Sequence, residues 1–105
     1  MLSDIKLNLR INNTAYDKEI ENLIDACKLD LRLSGIASTL IVEDDPLIKQ
    51  AIITYVKANF GYDNPDSEKL KQSYSLLKQH LAIAYSTDDE SIHKIIDSEE
   101  KDGDA

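Results

Sequence analysis

The sequence predicts an all-α protein, a small bundle of three helices followed by a flexible acidic tail. Three observations carry this. Apolar residues recur at helical spacing over three separate stretches, each stretch is bracketed by capping residues, proline or glycine, and the charge is concentrated at one end. A chain of 105 residues, 42 % hydrophobic and 30 % charged, holds one domain with one modest core.

The first helix is expected at about 15–33. Thr14 stands three residues before Asp17, a start resembling a capping box with Asp in place of Glu. Ile20, Leu23, Ile24, Cys27 and Leu31 then form one apolar stripe, and Gly35 supplies the residue that ends the helix. Leu29 and Leu33 lie off that stripe, so this helix is expected to touch something on a second side. Residues 36–45 read as a loop or short edge segment. Ser38 to Val42 favour extended structure but are too few to specify a sheet.

The second helix starts at Asp45-Pro46. The carboxylate accepts from an orphan N–H, and proline at the first helical position sacrifices no hydrogen bond. Leu47, Ile48, Ala51, Ile52, Tyr55, Val56 and Phe60 make it the most apolar segment and the expected centre of the core; Gly61 ends it. Asn64-Pro65 repeats the start device for the third helix, with Asp66 and Glu68 placed to complement the helix dipole. Leu70, Tyr74, Leu77, Leu81 and Tyr85 are its inward residues, and it runs to about Tyr85.

The N-terminal segment is ambiguous. Ile5, Leu7, Leu9 and Ile11 alternate with polar residues, a strand pattern. Leu2, Ile5 and Leu9 after Ser3-Asp4 also fit one helical face. Periodicity favours the strand, although a lone short strand lacks a partner.

The formal net charge of −8 is unevenly placed. Residues 87–105 hold eight acidic and two basic groups, −6 of the total, leaving residues 1–86 nearly balanced at −2. The chain thus divides into a helical domain, 1–86, and an acidic, largely disordered tail, 87–105. Within the tail only Ile92, Ile95 and Ile96 could form an apolar stripe, and they are the candidate partner-docking residues. The tail itself reads as a solvating extension, as a dock for a basic surface, or as a mimic of nucleic-acid charge. The acidity argues against a generic nucleic-acid-binding module, which needs clustered Lys and Arg.

No catalytic constellation is visible, and no catalytic, cofactor-binding or metal-ligating residue is assigned. His80 and His93 are the two histidines, and neither has the neighbours that a triad or metal site requires. Cys27 lies on a core stripe and reads as a small buried hydrophobe. Asp44-Asp45 reads as a helix cap rather than a cation site. The three glycines are isolated, so no phosphate-cradling loop exists. Tyr55, Tyr74 and Tyr85 sit on apolar faces as packing residues. No apolar run approaches membrane-spanning length, no signal-peptide pattern is present, and a single cysteine forms no internal disulfide, all of which points to a cytoplasmic protein.

The order of these elements resembles the small head–tail connector (adaptor, or head-completion) proteins of tailed bacteriophages. The segment from Ser3 to Ile11 looks like their opening Lys–x–x–Leu–Arg–Ile stretch. The segment Asp17 to Cys27 resembles their Asp-x-x-Ile/Leu-x-x-Leu-Ile-x-Ala-Ala helix, and Pro46 to Val56 resembles their Pro-x-x-Ile-Lys-x-Ala-Ile helix. Phe60 to Pro65 and the helix from Leu70 to Tyr85 are similar to the final part, so the likeness spans roughly residues 3–85. It implies a short N-terminal helix in place of the strand. It also implies a structural virion protein without catalysis or cofactor, present in the host cytoplasm during assembly. About a dozen copies would form a ring beneath the portal protein, extending the channel for passing DNA, which is not bound sequence-specifically, and receiving a tail-side or head-closure protein. Leu29 and Leu33, with Ile36 and Leu40 nearby, are the candidate subunit interface, against ordinary packing under the 36–45 loop. The competing reading is a small acidic regulatory module that binds a basic partner.

Overall fold

The computed structural model describes residues 1–61 and 64–86. It contains four α-helices in order: α1 (Leu2–Leu9), α2 (Asp17–Leu33), α3 (Pro46–Asn59) and α4 (Ser67–Ala84), with a 3₁₀ turn at Ser38–Leu40. The acidic segment 87–105, with Ile92, Ile95, Ile96 and His93, lies outside the described residues.

Helix α3 is the centre of the bundle, as its composition predicts. It packs against α1, α2 and α4, and its Ile48, Ala51, Ile52 and Val56 are fully buried. Facing them are Ile20, Cys27 and Leu31 of α2, Leu81 of α4 and Ile5 of α1, all at most 1 % exposed. Thr54 is buried among them without strain, because its hydroxyl donates to the Gln50 carbonyl one turn earlier.

The N-terminal segment is a helix, as the family resemblance implies, and the strand favoured by its alternation alone is corrected. In a strand Ile5 and Leu7 would share a face; here Ile5 is buried and Leu7 is 76 % exposed. Eight residues cannot hold a helix alone, so docking decides the outcome. Ile5 inserts into the core, Lys49 Nζ of α3 lies 2.9 Å from Asp4 Oδ2, and Lys6 Nζ lies 2.8 Å from Asp17 Oδ1 of α2, an ion pair rather than an aligned hydrogen bond. The helix ends on Arg10 at φ 60°, ψ 42°, with the Ile11 amide donating to the Lys6 carbonyl. A left-handed arginine is costly where glycine is not. Arg10→Gly is therefore expected to raise the unfolding free energy by about 0.5–1 kcal/mol, read by urea denaturation.

Two of the expected helix starts differ in detail. Thr14 caps nothing with its side chain. Its carbonyl accepts from the Asp17 amide, Asn13 Oδ1 accepts from the Ala15 amide, and Tyr16 is the N-cap. Asn64 likewise forms a turn rather than the cap, accepting from the Asp66 amide, and α4 starts at Ser67. That turn has another use. Asn64 Nδ2 donates to the Lys57 carbonyl and Ser67 Oγ to the Ala58 carbonyl, so the entry to α4 satisfies the orphan acceptors at the end of α3. The Asp45-Pro46 start is as predicted: Asp45 Oδ1 accepts from the amides of Leu47 at 2.8 Å and Ile48 at 3.1 Å. The end of α2 also follows the sequence. Gly35, at φ 98°, lets the Ile36 amide reach back to the Leu31 carbonyl, and both of those side chains are buried.

Candidate interaction surfaces

Two polar nodes lock the helices together. In the first, Asp30 of α2 accepts from Tyr74 Oη at 2.6 Å and from Lys78 Nζ at 3.1 Å, both on α4. The Lys78 ammonium also sits 5.3 Å from the centre of the Tyr74 ring, which packs edge-on against Tyr55 of α3. In the second, Tyr85 Oη donates to Asp45 Oδ2 at 2.7 Å, while the Tyr85 carbonyl accepts from the Ala37 amide and Ile36 forms an antiparallel bridge with Ser86. The end of α4 is thereby fastened to both ends of the 36–45 loop.

Each node is built on a tyrosine hydroxyl donating to an aspartate. Cys27 is fully buried beside Tyr74, and burial pushes its thiol up to about 12, so at neutral pH it carries no nucleophilic thiolate. The Tyr74 phenol is also raised, first by burial and then by donating to Asp30. Cys27 is expected to resist a thiol-reactive disulfide reagent at pH 8 in the folded protein and to react fully in denaturant, an outcome read by absorbance. His80 is exposed on α4, and no group of three or more His, Cys, Asp or Glu that could hold a metal occurs among the described residues.

What the bundle leaves open is apolar surface. Leu29 is 51 % exposed and Leu33 78 %, so the loop after α2 does not cover them as ordinary packing would require. Ile36, by contrast, is fully buried, and Leu40 is half-buried. Leu29, Arg32, Leu33, Ile36 and Ser38 line one shallow groove of about 240 Å³, which brings together three of the four residues singled out in the sequence. The sequence reading missed the counterpart on α4. Leu76 is 59 % exposed and Ile83 72 %, and a larger groove of about 500 Å³ runs between Leu47, Leu77, His80, Leu81, Ile83 and Ala84. Their signal was present as apolar residues seven apart on the face opposite the core stripe. Among the described residues no helix is long and apolar enough to cross a membrane.

A family model described as phage connector protein matches residues 1–88, the whole helical bundle. No curated protein and no solved structure matches the chain.

Proposed function

The chain belongs to the phage connector protein family, and from that premise we propose that it forms a ring of about a dozen copies between the portal and the tail-side proteins of a tailed phage. Family membership makes it a structural component of the virion that works against other virion proteins. The observation that carries the ring reading is the exposed Leu29–Leu33 shoulder, which the chain's own loop leaves uncovered. Large uncovered apolar side chains on a small helical domain mark a protein–protein contact. The shoulder serves as one side of the subunit interface, with Ile36 lining its groove, and half-buried Leu40 is the fourth interface residue.

The near-balanced charge of residues 1–86 suits a channel through which DNA slides without phosphate anchoring. Beyond the bundle, Ile92, Ile95 and Ile96 are the contact offered to a neighbouring virion protein. The work of the protein is assembly, and no residue takes part in a reaction.

The test is negative-stain microscopy of the chain mixed with a portal protein. Rings are expected on the portal; monomers alone in that mixture would refute the reading. Leu33→Glu is expected to change the unfolding free energy by less than about 0.5 kcal/mol, because the site is exposed, yet to abolish incorporation into the ring. A one-to-one complex with a basic protein, lost on neutralising Asp88, Asp89 and Glu90, would instead favour the regulatory module.

A further inference from the structure

Helices α2 and α4 each carry a second stripe on the face turned away from the core. On α2 it is Asn22, Ala26, Leu29 and Leu33; on α4 it is Lys69, Gln72, Leu76, Gln79 and Ile83. All nine residues are exposed, while the inward stripes of the same helices hold Ile20, Ile24, Cys27 and Leu31, and Tyr74 and Leu81. The outward spacings alternate three and four, the pattern by which two helices pack along a seam.

We propose that the outward face of α2 on one copy packs in parallel against the outward face of α4 on the next copy. This rests on the ring reading above and deepens it by naming the two mating surfaces. The two stripes differ, so the contact is head-to-tail, the only kind that closes into a ring.

A single register satisfies both helices. Glu19 precedes Leu33 by fourteen residues, and Lys69 precedes Ile83 by fourteen, a rise of about 21 Å in each helix. With Leu33 set against Ile83, Ala26 meets Leu76, a small residue against a large one. Asn22 meets Gln72, two amides able to exchange hydrogen bonds. Glu19 comes opposite Lys69, and neither is in an ion pair among the described residues. Lys18 and Glu68, both at the helix starts, come level with one another in this register and also carry opposite charges. Charge complementarity of this kind fixes register and suppresses a parallel self-matched arrangement of α2 on α2, where Glu19 would face its own copy.

The test uses full-length chains. Leu33→Cys and Ile83→Cys variants, both at exposed sites, are mixed in equal amounts and oxidised; Cys27 is buried and stays unreactive. The mixed disulfide is expected to exceed either self-linked dimer several-fold. Adding Lys69→Glu to the Ile83→Cys chain should cut that yield several-fold, and adding Glu19→Lys to the Leu33→Cys chain should restore it. Self-linked dimers equal to or above the mixed product would overturn the pairing, as would a mixed yield no greater than that of Asn12→Cys with Ile83→Cys. Rings on the portal without the mixed cross-link would leave the ring reading standing and remove this interface. The cross-link without rings would keep the interface and remove ring closure. Loss of portal binding by Leu33→Glu, with no mixed cross-link, would assign the α2 face to another virion protein and overturn the proposal.

Discussion

Replacing Ile52 by alanine is expected to lower the unfolding free energy by about 3–4 kcal/mol. Ile52 is fully buried at the middle of α3, the helix that touches all the others. Removing its three carbons forfeits the transfer free energy of that surface and leaves a cavity that three neighbouring helices cannot all close. For a domain of this size the loss is a large part of the total stability and corresponds to a fall in Tm of about 15–20 °C. Thermal unfolding followed by circular dichroism reads it directly. Ile83→Ala is the control: the same kind of truncation at a side chain 72 % exposed should change stability by less than about 0.5 kcal/mol. Equal effects at the two sites would contradict the placement of the core.

The second large effect is expected at Asp45. Its two carboxylate oxygens do different work: Oδ1 caps α3, and Oδ2 accepts from Tyr85 at the far end of α4. Asp45→Ala removes both and should cost about 2 kcal/mol, roughly half from the lost cap and the rest from the unpaired tyrosine hydroxyl. Tyr85→Phe removes only the second and should cost about 1 kcal/mol. The pair also sets a pH dependence. The hydrogen bond from Tyr85, with the amides of Ile48 and Leu47, holds the Asp45 carboxyl below its ordinary value of 3.8. A depressed acid stabilises the fold above pH 3.8, and that contribution is lost as pH falls through the lower folded value. Tyr85 moves the other way. Donation to Asp45 raises its phenol above 10.0, so its contribution is present below pH 10 and is lost as pH rises through the folded value. Asp45→Asn should flatten both limbs in urea denaturation measured across pH.

The local signals along the chain match the structure where the structure is local. Asp45 before Pro46 marks a cap that forms, and Gly35 marks a helix end that needs its positive φ. Cys27, Ile52 and Tyr74 were assigned inward by spacing alone and are buried. Thr14 and Asn64 look like caps in the sequence but lie in turns, because a capping side chain and a turn-forming one share the same residue types. Which amide each reaches depends on where the chain goes next. Of the interface candidates, Leu29 and Leu33 stand out on the surface, whereas Ile36 is drawn fully under the loop by its bridge to Ser86. Leu76 and Ile83 escaped notice because a pair of apolar residues seven apart is unremarkable until the helix has a known inside.

The sequence by itself determined three helices, their approximate ends and their inward stripes, since periodicity and capping act within a few residues and survive any packing. Periodicity leaves residues 2–9 open between strand and helix, and what makes the helix implied by the resemblance form is the tertiary structure. An eight-residue segment has too little local free energy to choose, and the core position offered to Ile5, with Asp4 and Lys6 paired to Lys49 and Asp17, chooses for it. The tertiary structure alone also decided which apolar residues remain uncovered. Burial is a property of all the other elements at once, and no spacing along α2 or α4 can reveal that Leu33 and Ile83 stay exposed among the described residues.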